Sequence, residues 1–452
     1  MVRRIPTADP ATLTARQLVQ QLGDGVLSAE QATNACLARI ESMEPAIHAW
    51  AHYDGQQALM QAKEADRRRA RGLPLGPLHG VPIGLKDIID ARGMPTENGT
   101  ALDAGKRPLE DATLVQRLRN AGAVILGKTV TSELAYFHPG PTTNPHDTAR
   151  TPGGSSSGSA AAVASGMVPF TVGTQTNGSV IRPAAFCGVV GYKPSFGAVP
   201  RTGVLSAAQS LDQVGFFARS IDDVALAAAV MGPDGRDEGC NLNPGPLLDT
   251  ALSAPPVTPD IAMVHTPFSE RLEPATVEGF SELIEMLGSH GVETALPEVF
   301  GRGAGWLATI MASEMTRNLG YYAERDPEQV SDVFKSLMAQ GQAIPAVDYL
   351  AARDMQLVLL EALEPLFERF DAIITPAAPG EAPADLSTTG DPIFCTLWTL
   401  CGLPTITLPL LTGVNGLPVG VQLVGAHGQD ARLLRTARWL MTQCTSDEEN
   451  ET

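Results

Sequence analysis

Pro152-Gly153-Gly154-Ser155-Ser156-Ser157-Gly158-Ser159 opens a run of small residues that continues through Ala160–Ala164 and Val168–Val172 to Thr174-Gln175-Thr176-Asn177-Gly178-Ser179-Val180-Ile181-Arg182-Pro183. A Gly-rich turn with four serines ahead of an alanine run can do three things: cradle a phosphate, present a nucleophile, or simply turn the chain. A phosphate loop of the GxxxxGK[ST] kind needs a lysine after Gly158, and Ser159 stands there. Gly154 to Gly158 also fits GxSxG with Ser156 at its centre. That elbow requires an apolar strand before it, and Thr148-Ala149-Arg150-Thr151-Pro152 is not one. Between residues 151 and 200 Gly, Ser and Ala dominate, yet the interposed apolar runs argue against a flexible linker. The stretch reads as buried core.

Upstream, Gly80-Val81-Pro82-Ile83-Gly84-Leu85-Lys86-Asp87-Ile88-Ile89-Asp90 is a short strand-like run with a single lysine at its apolar end. A helix predicted over 112–121, followed by the apolar strand Ala123-Val124-Ile125-Leu126-Gly127, makes a pairing typical of α/β layers. The first 70 residues read as helical: Ser28-Ala29-Glu30-Gln31 is a capping box, and Ala32, Cys36 and Ile40 follow on one stripe. Downstream, 235–260 is rich in Pro, Gly and Asp and reads as a surface excursion, and 272–370 reads as helices, for example 355–370. Strands are predicted at 371–376, 404–409 and 419–424, then a helix over 430–443. The expected organisation is one domain over 1–445: N-terminal helices in 1–72, a core over 73–230, a variable outer helical layer over 235–370 and a C-terminal α/β part over 371–445. An acidic tail, 446–452, is expected to fray.

The 452 residues carry 50 Asp+Glu against 32 Lys+Arg, a net charge of -18, with 44% hydrophobic and 18% charged residues, enough apolar surface for a folded core. That charge argues against nucleic acid, whose phosphates are bound by Lys and Arg that release counterions. The longest basic run, Arg67-Arg68-Arg69-Ala70-Arg71, reads as a solvated helix end. No apolar run reaches the roughly 18 to 20 residues of a membrane span, and the N-terminus is not a signal peptide, so a cytoplasmic protein is expected. The cysteines, Cys36, Cys187, Cys240, Cys395, Cys401 and Cys444, contain no CxxC pair; structural zinc is not expected, and the thiols read as reduced and mostly buried.

Gly178 directly before Ser179 lets backbone N–H groups approach a reacting carbonyl, which is what an oxyanion hole needs. Two serine centres and one apolar-flanked lysine thus await roles, and none of the eight histidines, among them His79, His138, His146 and His427, sits in a motif that would make it a base. A serine becomes a nucleophile only with an adjacent base, and lysine can serve.

Here the residues resemble the amidase signature family of serine hydrolases, whose pattern runs GVPxxxKD, GGSSxGS, then GxxxxGSxRxPAxxCGxxGxKP; this chain shows Gly80–Asp87, Gly153–Ser159 and Gly173–Pro194. The similarity extends through Thr375-Pro376, Cys401-Gly402-Leu403-Pro404 and the run from Gly416 to Gly425. It implies an α/β fold, a central mixed β-sheet sandwiched between helices in a single catalytic domain, with a homodimer as a common assembly. It also implies a triad of Lys86 as base, Ser155 as bridging serine after a cis peptide, and Ser179 as nucleophile. The N–H groups of Thr176, Asn177, Gly178 and Ser179 become the oxyanion hole, with no cofactor and no metal. A buried lysine can act as base only when neutral, so burial must lower its pKa toward about 7 to 8, and an alkaline optimum follows.

Family members commonly carry Asp and Gly where this chain has Gln175 and Asn177, and an Arg at Ser plus two, whereas here it is Arg182. The TQTxGSxIRP form looks like the malonamidase-like branch, which makes Arg182, with Gln175 and Gly154, the expected substrate-binding residues: Arg182 holds a substrate carboxylate or forms a structural ion pair. Phe137, His138, Trp306, Tyr321 and Tyr322 are candidates for a leaving-group pocket. The expected activity is C–N hydrolysis of a small-molecule amide, with anilides, carbamates (urethanes) and ester side activity open to the same route. The alternative is the glutamine-hydrolysing subunit of a tRNA-dependent amidotransferase. A further rival, an α/β-hydrolase using Ser156, predicts that Ser156→Ala is dead and Ser179→Ala active.

Overall fold

In the computed structural model, which describes residues 9–232 and 239–450, the strands join into one sheet. They are β1 (Trp50–Tyr53), β2 (Pro82–Lys86), β3 (Val124–Thr129), β4 (Phe170–Gln175), β5 (Val190–Lys193), β6 (Gln213–Ala218), β7 (Ile261–His265), β8 (Gly291–Ala295), β9 (Ala372–Pro376), β10 (Thr405–Thr412) and β11 (Pro418–Val424). Their spatial order is β1-β3-β2-β4-β6-β5-β10-β11-β9-β7-β8. Neighbours are parallel among β3, β2 and β4 and among β9, β7 and β8, and antiparallel elsewhere.

The alternation of side chains along each strand shows that helices cover both faces. On β7, Ile261 and Met263 join an apolar cluster with Val421 and Leu423 of β11. Ala262 and Val264, between them in sequence, join a second cluster with Leu359 and Trp398 from helices Ala346–Arg369 and Ile393–Leu400. A sheet buried on both sides carries near-continuous apolar strands. The fold is therefore α/β, a mixed sheet between helical layers, as the sequence implied.

The capping box forms as expected, Ser28 accepting from the Gln31 N–H while the Gln31 side chain accepts from the Ser28 N–H, and starts helix Ala29–Ile47. Residues 151–200 are core: helix Ser157–Ala164 lies against β4, and every residue of β4 is buried. Several strands were not foreseen, β5 and β6 in the core among them. β1 lies inside the 70 residues read as helical, β7 follows the surface excursion, and β8 lies inside the region read as helices. β1 and β8 are the sheet's two edges, only four and five residues long; β1 mixes buried with exposed positions and β8 is half-buried or exposed throughout, so neither shows the apolar run of an inner strand. Residues 235–238 of the predicted excursion lie outside the described residues, and a short helix, Leu247–Leu252, occupies part of the rest. The last helix runs as Asp430–Asn450, past the predicted 443, because the segment contains no Gly or Pro to stop it; residues 451–452 of the acidic tail lie outside the described residues. No helix among the described residues is long and apolar enough to cross a membrane.

Small residues set how closely the layers approach. A Cβ built on Gly158 would lie 2.1 Å from the Ala49 carbonyl oxygen and 2.4 Å from the Val130 nitrogen, so the helix carrying the serine run can sit against the β1–β3 edge only with hydrogen at that position. We expect Gly158→Ala to lower stability by about 1–3 kcal/mol through overpacking, measured as a lower urea midpoint at unchanged m-value.

Candidate active site

Lys86 ends β2, the strand paired in parallel with β3 on one side and β4 on the other. Its side chain is fully buried, and its Nζ donates to Ser155 Oγ at 2.6 Å and Thr174 Oγ1 at 2.9 Å. Removal from water disfavours the ammonium and takes the pKa from the usual lysine value down to about 7, with Asp212 opposing that shift weakly.

Two other buried lysines show why Lys86 is the one suited to move a proton. Lys128 on β3 donates to Asp87 Oδ1 at 3.0 Å, Thr96 Oγ1 at 2.7 Å and the Pro95 carbonyl at 3.1 Å, an ion pair with little solvent on either partner. Lys193 on β5 is also lowered to about 7 by burial, but its Nζ donates to Gln213 Oε1, Leu403 O and Pro194 O. Those oxygens carry no proton to give up, whereas the partners of Lys86 are hydroxyls.

The serine run divides in the same way. Ser156 Oγ is buried and bonded to the β4 backbone, donating to Thr174 O at 3.1 Å and accepting from Thr174 N at 3.3 Å. Ser159 Oγ pairs with Thr129 Oγ1 at 2.7 Å, and Ser157 Oγ reaches Val130 O at 3.4 Å. Ser155, reached through a cis peptide from Gly154, is the member that meets Lys86. Ser156 therefore lacks the setting of an α/β-hydrolase nucleophile, as its missing upstream strand foretold.

Ser179 lies between the end of β4 and helix Ile181–Phe186 and lines a narrow pocket with Thr176, Asn177, Gly178, Arg182, Ala135, Tyr136, Phe137, Met311 and Met315. Gln175 shapes this turn: its Oε1 accepts from the N–H groups of Val180 at 2.8 Å and Ile181 at 3.0 Å, and its Nε2 donates to Thr399 Oγ1 at 2.9 Å. The side chain thus caps the following helix, and the N–H groups of Asn177, Gly178 and Ser179 keep no acceptor among the described residues. Asn177 is held from outside, its Oδ1 accepting from Thr396 Oγ1 at 2.8 Å.

Arg182 is 2% exposed, and only one of its three nitrogens is bonded: Nη2 donates to Gly154 O at 2.7 Å and Thr389 Oγ1 at 3.1 Å, while Nε and Nη1 are buried without a partner. Its guanidinium lies 5.7 Å from the Phe137 ring centroid, and burial lowers its pKa to about 10, so it stays a cation at neutral pH. Of the two roles expected for Arg182, a structural ion pair is not what forms among the described residues. Gly154 contributes its carbonyl to Arg182, and a Cβ there would meet Thr389 Cγ2 at 2.7 Å.

Of the aromatic candidates, Phe137 lines the cavity. Trp306 instead lies under Arg302, Tyr322 is buried with its hydroxyl on Asp103, and His138 and Tyr321 are exposed. Tyr136, Met311 and Met315 were missed, the methionines because they come from helix Gly303–Arg325, far along the chain. Cys187 is a buried thiol pushed up by desolvation, matching its reading as core.

The amidase family model matches residues 31–434. The chain is 37% identical to a glutamyl-tRNA(Gln) amidotransferase subunit of Chloroflexus aggregans (strain MD-66 / DSM 9485), covering 94% of each chain. It is 36% identical to the corresponding protein of Synechococcus sp. (strain WH7803), over 92% of this chain and 94% of that one. Among solved structures it matches, at TM-score 0.89 and 30% identity over 95% of this chain and 98% of the other, a member of a vestigial protein complex that reveals the origins of an s-triazine catabolic enzyme. It also matches the peptide amidase of Stenotrophomonas maltophilia at TM-score 0.84 and 29% identity, over 97% and 98% of the two chains.

The buried Lys128–Asp87 pair sits directly beside Lys86 in sequence and register. Lys128→Met is expected to leave Asp87 buried and unpaired and to cost about 3–5 kcal/mol, read from urea unfolding.

Proposed function

The chain belongs to the amidase family, and from that membership we propose that it hydrolyses a carboxamide C–N bond through an acyl-enzyme on Ser179, as the glutamine-hydrolysing subunit of a tRNA-dependent amidotransferase. The curated relatives support this role over the free-standing small-molecule amidase that the sequence alone put first. The observation that carries the chemistry is the 2.6 Å contact between the buried Lys86 amine and Ser155 Oγ.

Neutral Lys86 takes the Ser155 proton, Ser155 takes the Ser179 proton, and Ser179 Oγ attacks the amide carbon. The N–H groups from Thr176 to Ser179 receive the charge that develops on the carbonyl oxygen. The proton returns along the same relay to the departing nitrogen, and ammonia leaves. Water, deprotonated by the same route, then cleaves the ester and restores Ser179. Glutamine carries a carboxylate, and the two unpartnered donors of Arg182 suit such a group at the acyl end of the substrate.

A second reading, hydrolysis of small amides, anilides or carbamates without a partner, draws on the cavity's apolar wall of Tyr136, Phe137, Met311 and Met315, which exceeds what an ammonia leaving group needs. The similarity to a peptide amidase also favours it.

The readings separate on a panel of glutamine, a half-amide of a dicarboxylic acid, a neutral aliphatic amide, an anilide and an aryl carbamate, assayed for released amine. Glutamine preferred, with stimulation by added partner proteins, is the expected result; an anilide or carbamate preferred without any partner favours the second reading. Activity that survives in Ser179→Ala removes both. Because the amine must be neutral to accept a proton, kcat/KM should fall about tenfold per pH unit below a limb near pH 7 and level off above it. A profile flat from about pH 6 to 9 with chemistry rate-limiting contradicts Lys86 as base.

A further inference from the structure

The last register pair of the antiparallel β4–β6 ladder is Gln175 with Gln213. One step further, the ladder's geometry sets Thr176 opposite Asp212, and there Thr176 Oγ1 donates to Asp212 Oδ1 at 2.6 Å. The other carboxylate oxygen accepts the N–H groups of Ala207 at 2.8 Å and Ala208 at 2.9 Å. Arg201 Nη1 donates to the Asp212 backbone carbonyl at 2.9 Å and to Gln209 O at 2.7 Å, tying the same turn from outside.

Resting on the reading of Ser179 and Lys86 above, we propose that Asp212 is a positioning residue of this site: its carboxylate holds the oxyanion loop in place through Thr176 and sets a negative charge against the buried Lys86 amine. Two independent observations converge on it. Thr176, with Ala135, forms the wall shared by the pocket that holds Ser179 and a second, narrow one lined by Thr174, Asp212, Arg201 and Val204. The bond to Asp212 fixes the rotamer of Thr176, and the N–H groups of Asn177, Gly178 and Ser179 follow it directly in the chain. A displacement of about 1 Å in such donors is enough to cost roughly 100-fold in rate. The second observation is electrostatic. Thr174, whose hydroxyl accepts from Lys86, lines the same pocket as Asp212, Arg201 favours the ionised form of that carboxylate, and Asp212 is the carboxylate whose charge favours the protonated form of Lys86. Burial raises Asp212 to about 6, and the bonds from Thr176, Ala207 and Ala208 together with the charge of Arg201 favour its ionised form.

The test uses an alkyl fluorophosphonate, which needs no knowledge of the natural substrate. Ser179 Oγ forms a bond to phosphorus, the P–F bond breaks, fluoride leaves, and the serine proton passes to Lys86; the phosphoryl oxygen takes the oxyanion position. Labelling rates are measured from pH 5 to 10 on the full chain. Thr176→Val, nearly isosteric but without the hydroxyl, is expected to label about 10- to 100-fold more slowly, up to the cost of a misplaced donor set, and Thr176→Ser to restore most of the rate. Asp212→Asn is expected to move the acidic limb to lower pH, since removing the anion lowers the Lys86 pKa further. A purely structural role changes the melting temperature and leaves the limb where it is. Thr176→Val within twofold of the parent, or a folded Asp212→Asn with an unmoved limb, overturns the proposal, and the Thr176 pair decides if Asp212→Asn does not fold. Ser179→Ala runs beside them: labelling that persists there removes the nucleophile, not the positioning role.

Discussion

A primary amine shut away from water, hydrogen-bonded to hydroxyls and to no carboxylate among the described residues, is the constraint on which the site depends. An ammonium in that position loses its hydration and gains only two neutral partners, so the proton is held loosely. Lys128, equally buried on the neighbouring strand, shows the contrast: with Asp87 against it, the charge is matched and the lysine is part of the scaffold. The difference lies not in burial, which the two share, but in whether the nearest oxygens can accept a positive neighbour as an anion or only pass a proton on.

Holding that amine in place is a matter of packing small residues densely. β4 lies between β2, which brings Lys86, and β6, which brings Asp212, while the helix of the serine run lies across it. A Cβ on Gly173 would lie 2.7 Å from Phe217 and 2.8 Å from Ser156 Oγ, so any side chain there would push the serine run off the strand. The abundance of Gly, Ala and Ser between 151 and 200 is thus the packing condition for bringing hydroxyls within reach of the amine.

Lys86 and Ser179 drew notice from the residues alone, a lysine ending an apolar run and a serine directly after a glycine, whereas Ser155 was singled out among its neighbours by the resemblance to the amidase signature pattern. The α/β class was legible for the same local reason, an inner strand announcing itself as a short apolar run such as Val124-Ile125-Leu126. What could not be read is what the register decides. Asp212, in Ser210-Leu211-Asp212-Gln213, resembles any loop acid until the β4–β6 pairing puts it opposite Thr176. Met311 and Met315 have a helical spacing that reads as core, and only the packing of their helix shows that this face meets the cavity. The edge strands β1 and β8 were lost because an edge needs little apolar surface.

The cap formed by Gln175 bears on how relatives of this chain could diverge. A carboxylate, which the family commonly carries at this position, could accept the same two N–H groups and would add a full negative charge within a few bonds of the nucleophile. The carboxamide makes both bonds as a neutral group. The capping side chain itself then adds no anion beside the buried guanidinium of Arg182. Replacement of a carboxylate by a carboxamide at this position is therefore a path between acyl groups of different charge, one that leaves the nucleophile and its relay untouched.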